Sequence, residues 1–236
     1  MAPDFPITDR TRLKRRPQRG AYDRETVYAI LDAGVICHVG YVVDGQPLVT
    51  PTAYWRWEDR IYWHGSAASR MLAAVDGAPV CVTVSHLDGL VLARSAFHHS
   101  INYRSVMLFG RAELIEDADH KRTALNAFID RLFPGRSQAC RESSDKELAA
   151  ISLIGLIIEE ASAKVRSTGV VDDEEDYALP VWAGVIGTRM TIGATAADTR
   201  LQVEPAPPAH AAVYAENSAL DAVLTNCAIA AGRLGK

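Results

Sequence analysis

The chain has 236 residues, 48% of them hydrophobic, which is ordinary for a globular protein that buries one large core. Its formal net charge of −4 gives no global pull toward nucleic acid or an anionic membrane. Cys37, Cys81, Cys140 and Cys227 stand far apart with no C-x-x-C pair, which argues against a disulfide framework or zinc ribbon and for reduced thiols in a cytoplasmic protein.

Residues 1–20 form a basic arm with Arg10, Arg12, Lys14, Arg15, Arg16 and Arg19, expected to be solvated and partly ordered. The N-terminus lacks the apolar stretch of a signal peptide, and no apolar run approaches the roughly 18 residues of a membrane span. "YDRETVYAILDAG" reads as a helix, with Asp23 as its cap, Val27, Ile30 and Leu31 on one face and Gly34 at its end. A run of β signals follows. "VICHVGYVV" leads to the hairpin turn Asp44-Gly45, "QPLVTPTAYWRW" to a turn at Glu58-Asp59, and "RIYWHG" returns. "PVCVTVSHLDGLVLARSAF" is a long strand bent near Asp88-Gly89, and "YRSVMLFGRAELI" is another, with Gly110 marking a bulge. "DADHKRTALNAFIDRLFPG" is the clearest helix, capped by Asp117 or Asp119, striped by Leu125, Phe128, Ile129 and Leu132, and stopped by Pro134-Gly135. "AISLIGLIIEEASAKVRS" reads as one last apolar strand. The acidic run Asp172–Asp176 and "YALPVWAGVIG" come next, and the end of the chain fits an amphipathic helix through Leu220, Val223, Leu224 and Cys227. About six strands without βα alternation point to a mainly β fold: a closed or partly closed antiparallel barrel with helices at its edges.

The common chemical motifs are missing. There is no G-x-G-x-x-G after a strand, no Walker sequence, no H-E-x-x-H and no G-x-S-x-G. His98 and His99 are adjacent and would diverge on a strand, so no metal site is expected from them. The stretch "HGSAASRML" is different. Ser66 or Ser69 serves simply as a helix cap, or the segment cradles a phosphate: small residues admit an anion to free N–H groups, and Arg70 adds a forked charge. Arg104 between Tyr103 and Ser105, Lys164 in "EEASAKVRS" and Trp182 in "LPVWAG" each have a plain structural reading beside a ligand-binding one.

Taken in order, "LVTPTAYWRWEDRIYWHGSAASRML", "NYRSVMLFGRAELIED" and "SAKVRSTGVVDDEEDYALPVWAGVI" resemble the pyridoxamine 5'-phosphate oxidase-like flavoproteins. Within them the chain looks most like the flavin-nucleotide-binding branch related to nitroimidazole-resistance (Nim) proteins. The resemblance covers residues 20–187. It implies a six-stranded antiparallel split β-barrel of the FMN-binding type over 21–187, between the arm and a partly helical extension at 188–236. It also implies a homodimer with FMN at the subunit interface. Carried over, Val49, Thr50, Pro51 and Thr52 with Tyr62, Trp63, His64 and Gly65 would line the isoalloxazine ring, partly through backbone groups. Ser66, Ser69 and Arg70 would hold the phosphate. Asn102, Tyr103, Arg104 and Ser105 would complete the site from the partner subunit, with Lys164 and Trp182 at the later family positions. The family's "GK" is Ala163-Lys164 here.

The function this implies is an FMN-dependent oxidoreductase acting on a nitro compound or a pyridoxamine phosphate-like substrate, with His64 as proton donor or polar contact at the ring. A non-catalytic flavin carrier or sensor would use the same pocket. A haem-binding relative would need an axial histidine, for which His64, His86, His98 and His99 are available. Neither nucleic acid nor membrane is expected as a partner.

Overall fold

A computed structural model describes residues 3–202 and 208–234. A two-residue strand β1 (Gly20–Ala21) precedes α1 (Arg24–Asp32). The strands β2 (Ile36–Val43), β3 (Gln46–Trp57) and β4 (Arg60–Ser66) follow, then α2 (Arg70–Val75), β5 (Pro79–Leu92) and β6 (Ser100–Leu114). Three helices come next, α3 (Ala118–Leu132), α4 (Arg136–Ala139) and α5 (Asp145–Ala149). The chain continues through β7 (Ile151–Ile157), β8 (Glu160–Arg166), β9 (Gly184–Gly187), α6 (Ala209–Ala212) and α7 (Leu220–Leu234).

All strand pairings are antiparallel. The order β2-β3-β4-β7-β6-β5 closes on itself because β5 also pairs with β2, giving a six-stranded barrel. It is split: β6 pairs with β8 through Tyr103–Phe109 and only then with β7 through Ala112–Leu114. Strand β1 extends the sheet beyond β8, and β9 pairs with the far end of β5. The β2–β3 turn carries positive φ at Asp44 (50°) and Gly45 (76°), the conformation that matches a two-residue hairpin to strand twist.

Side-chain alternation builds two cores. Tyr54, Ile61 and Trp63 point into the barrel with Val82, Leu108 and Leu156. Their neighbours Trp55 and Tyr62 point the other way, onto Leu153 and the Ala124 and Phe128 face of α3. Asp23 caps α1 by accepting the Thr26 N–H at 2.7 Å, and Asp117 caps α3 through His120 N–H at 2.7 Å.

Three features depart from the sequence expectations. The register shift lies between Leu87 and Gly89, at the expected bend, and not at Gly110. Gly110 instead admits a close strand crossing: a Cβ there would meet Leu156 Cδ1 at 2.6 Å and the Ile157 carbonyl at 3.0 Å. The segment read as one strand after Ala150 is a hairpin, β7 and β8, turning where Ile158 is buried and its N–H donates to the Asp59 carbonyl at 2.9 Å. The basic arm is docked as well as charged. Phe5 and Thr11 are buried, Thr8 Oγ1 donates to Glu160 at 2.6 Å, and Arg10 pairs with the same carboxylate. At the other end, α7 lies against α3 and α1, with Leu224 and Cys227 buried.

Candidate functional site

Strands β3 and β4 are bonded to each other only through Tyr54–Trp57 and Arg60–Trp63. Beyond that point they diverge. Residues 46–53 of β3 keep β2 as partner, and residues 64–66 of β4 keep β7. Two strand edges therefore face one opening, each with backbone donors and acceptors not used by the other. Val49, Thr50, Pro51 and Thr52 lie on one edge, and His64, Gly65 and Ser66 on the other. The chain then turns into α2 at Ser69 and Arg70. Gly65 is tight against that helix, since a Cβ there would lie 3.1 Å from Leu72 Cδ1.

Both serines of the turn have local backbone roles. Ser66 Oγ accepts the Ala68 N–H at 3.2 Å, and Ser69 Oγ caps α2 by accepting the Leu72 N–H at 3.5 Å. The capping reading of "HGSAASRML" is thus correct for Ser69. With six residues, α2 carries only a small dipole. What it offers an anion is the first-turn N–H groups that Ser69 does not cap, those of Arg70 and Met71, and the exposed guanidinium of Arg70.

Tyr62 and Trp63 do not reach this opening. Tyr62 stacks on Trp55 with ring centroids 5.6 Å apart beneath α3, and Trp63 is fully buried in the barrel. Both backbones are paired on both sides, so neither can line a flavin ring as the resemblance implied. His64 is half-buried, with its ring against Trp55 (5.8 Å) and Phe128 (5.5 Å). Burial pushes its pKa below the ordinary histidine value and so favours neutral imidazole, which disfavours the proton-donor role.

The second group of expected residues lies elsewhere on the barrel. Across the outer face the register runs Pro51, His38, Thr83, Met107, and Ser105 pairs with Lys164 further along. Three strand spacings, about 14 Å, separate β3 from β6. One chain therefore does not bring Tyr103, Ser105 and Lys164 to the β3–β4 opening. Asn102 is buried and accepts from Arg166. Trp182 is 67% exposed, with its ring over Gly184 at the start of β9.

Arg104 is held by two carboxylates. Its Nε and Nη2 fork onto Asp88 at 3.0 and 2.8 Å, and Nη2 also reaches Asp221 of α7 at 2.9 Å. It forms one wall of a cavity of about 570 Å³ between the end of α1, β5 and α7, which also includes His86, Arg189 and Met190. His86 is held by the end of α1, its Nε2 lying 3.0 Å from the Ile30 carbonyl. Sequence reading missed this cavity because Asp221 and Arg104 are 117 positions apart and no local spacing links them.

The family model for pyridoxamine 5'-phosphate oxidase matches residues 23–165, all of the barrel strands β2 to β7. The chain belongs to the pyridoxamine 5'-phosphate oxidase family. No curated protein matches it. Among solved structures of the same fold, the flavocytochrome Anf3 of Azotobacter vinelandii is 47% identical. That match covers 91% of this chain and 100% of that one, with a TM-score of 0.85. A flavin (FAD) and haem binding protein of Mycobacterium smegmatis is 36% identical over 84% of this chain and 98% of that one, with a TM-score of 0.80. A protein proposed to confer 5-nitroimidazole resistance in Bacteroides thetaiotaomicron is 24% identical over 62% of this chain and 86% of that one, with a TM-score of 0.50. The third match reflects the shared split barrel. The higher identities lie with the two proteins named for both flavin and haem. Among the described residues no helix is long and apolar enough to cross a membrane.

Proposed function

We propose that this protein is a flavin- and haem-binding redox protein. The observation that carries the reading is the 47% identity, across 91% of the chain, to a flavocytochrome. The split barrel supports it physically. The diverging edges of β3 and β4 offer the backbone donors and acceptors that a flavin's polar ring edge needs. Arg70 follows the end of the β4 edge, and in this reading its guanidinium meets the phosphate that FMN and FAD share. The flavin would supply the electron chemistry, while the protein's part is to bind, orient and shield it.

The site is completed by a second copy of the chain. The outer face of β3, β2, β5 and β6 exposes Val49 (66%), Val42 (61%), Ile36 (52%) and Met107 (40%) in one continuous sheet. An apolar face of this kind marks an association surface. A two-fold dimer through it would bring Tyr103, Ser105 and Lys164 of the second copy toward the β3–β4 opening of the first.

The test is the visible spectrum of purified protein after loading with FMN, FAD and haemin and removal of free ligand. Retained flavin and haem bands, with flavin reduced by a nicotinamide donor and then reoxidised through the haem, are expected. Chromatography of released flavin decides between FMN and FAD. Arg70→Ala combined with Ser66→Ala should weaken flavin binding by about tenfold or more, equivalent to one lost charge-assisted contact. Unchanged flavin affinity in that variant would remove the phosphate assignment. Flavin without haem would leave a simple flavoprotein.

A further inference from the structure

We propose that the N-terminal arm is the docking surface for an acidic electron-carrier protein, an inference that rests on the redox reading above. Residues 1–20 hold six basic and two acidic side chains, whereas the whole chain holds 25 basic and 29 acidic ones. One short segment is therefore cationic on a protein that is otherwise acidic. Arg12, Lys14, Arg15 and Arg16 are exposed. Among the described residues none of these four takes part in an ion pair, and neither does Arg19. Of the arm's cations only Arg10 is matched, by Glu160.

A run of charges is usually a solvated tail, but this one is fixed to the barrel. Phe5 is buried, its N–H donates to the Tyr22 carbonyl at 2.9 Å, and the Arg24 guanidinium lies 4.4 Å from its ring centre. Thr11 is buried, with Oγ1 donating to the Pro6 carbonyl at 3.0 Å. The Tyr22 hydroxyl accepts the Leu13 N–H at 3.0 Å and donates to the Thr11 carbonyl at 3.2 Å. Pro17–Arg19 form one 3-10 turn, and Gly20 then enters β1. A Cβ at Gly20 would lie 2.6 Å from Leu13 Cδ1, so the arm packs closely on itself where it joins the sheet. Its cations are held in position before a partner arrives, which lowers the ordering cost of binding.

The arm also lies beside the residues that matter for the redox reading. Gly20 pairs with Lys164, and Lys164 pairs with Ser105. In the dimer proposed above those two residues face the flavin opening of the second copy. The cationic ledge thus begins one residue from the strand pair that would border the flavin. Arg166, two residues beyond Lys164, extends the same charge. It is buried, and its guanidinium donates to the Asn102 side chain and to the Thr168 and Gly169 carbonyls, with no carboxylate among these partners. Burial and the nearby Arg19 charge push its pKa down.

The sign and extent of this surface select the partner. Arginine forks match carboxylates. Opposite charge steers the encounter, and a small charged interface lets the partners separate again, as electron transfer requires. A compact acidic protein covers the ledge alone, whereas duplex DNA or an anionic membrane would run past it onto the acidic remainder of the chain. A carrier protein is a route for electrons beside a nicotinamide. Two reduced carriers, each oxidised by one electron, and two protons from water balance the full reduction of one flavin.

The experiment uses the full chain loaded with flavin and haemin, and an acidic [2Fe–2S] ferredoxin and an acidic flavodoxin as probes. Binding is measured by calorimetry over a salt series, and flavin reduction by each reduced carrier is followed by stopped flow. Arg12→Glu with Arg15→Glu reverses two exposed charges of the ledge, and Lys14→Glu with Arg16→Glu repeats the test should the first pair disturb folding. Lys146→Glu with Arg200→Glu makes the same change in net charge at exposed positions outside the arm and is the control. The parent should bind at least one carrier, less tightly as salt rises. Each arm pair should lower that affinity and the second-order reduction rate by about tenfold or more, and the control by less than about twofold. Flavin retention and reduction by dithionite should be the same in all variants. Equal losses in the arm and control pairs would reduce the effect to net charge and overturn the surface. Arm-dependent retention of duplex DNA or phosphatidylserine vesicles, with neither carrier bound, overturns it in favour of a polyanion. A parent that retains flavin but binds neither carrier overturns this inference and leaves the functional reading standing. A parent that retains neither flavin nor haem overturns that reading, and this inference with it.

Discussion

Arg131 of α3 donates through Nη2 to the main-chain carbonyl of Asp32, 2.6 Å away at the C-terminal end of α1. The same guanidinium reaches the Gly34 carbonyl at 3.3 Å and, through Nη1, the Leu224 carbonyl of α7 at 3.2 Å. It is 4% exposed. Burial pushes its pKa down, and the nearby Asp32 charge opposes that. The carbonyl end of a helix favours a cation, so one side chain joins α1, α3 and α7. Arg131→Met would leave three inward carbonyls without this donor. A loss of about 2–4 kcal/mol is expected in urea unfolding, with the slope unchanged. A loss below about 0.5 kcal/mol would mean that water or neighbouring donors replace the arginine.

Gly110 makes a sharper steric prediction. The nearest obstacles to a Cβ there are Leu156 Cδ1 at 2.6 Å and the Ile157 carbonyl at 3.0 Å. The leucine end can rotate, but the carbonyl belongs to a paired strand. Gly110→Ala should therefore cost about 1–3 kcal/mol, an overpacking penalty. Gly169→Ala, with nothing within 4 Å of its Cβ position, is the control and should be close to neutral. Equal midpoints for the two variants would show that β6 and β7 can separate freely at the crossing.

The cysteines report on burial and on dimer formation. Cys37 is buried, and burial pushes its thiol up to about 12; Cys227 is buried and raised in the same direction. Cys140 is exposed. Cys81 lies on the outer β-sheet face proposed as the dimer surface, paired with Gly40 and Phe109. A thiol reagent should modify Cys140 first in the native protein, and Cys37 and Cys227 only on unfolding. Cys81 should be protected in the parent and become reactive in Val49→Glu, which should also elute as a monomer. Fast reaction of Cys81 in the parent at high protein concentration would argue against association through this face.

Much of this fold is legible in the sequence because its signals are local. Asp44-Gly45, the Asp23 and Asp117 caps and the alternating β-branched runs each specify geometry within a few residues. The hairpin at Ile158-Glu159 was not legible, because its turn has no glycine, asparagine or proline and is fixed by burial of Ile158 and a bond to Asp59. The site divides in the same way. "HGSAASRML" marks a turn and a helix cap from its own composition. Tyr62 and Trp63 look available beside it, yet their neighbours on β3, β7 and α3 bury them. The cavity of Arg104, Asp88 and Asp221 depends on three distant segments meeting, which no spacing in one chain announces.

His64 links the site to pH. Its half-buried ring sits against Trp55 and Phe128, and its buried Nδ1 has no hydrogen-bond partner among the described residues. Burial lowers its pKa in the folded state, whereas the unfolded chain titrates near the ordinary value of about 6.5. Between those two values the unfolded state binds more protons. His64 therefore contributes fully to stability above about pH 6.5, and that contribution is lost as pH falls through the folded-state pKa. His64→Phe keeps an aromatic ring in place and removes the titration. The parent should lose stability more steeply than this variant between about pH 7 and pH 5 in urea unfolding. Parallel pH dependences would mean that the imidazole is solvated and protonates freely, which would also return it as a candidate proton donor in the proposed flavin site.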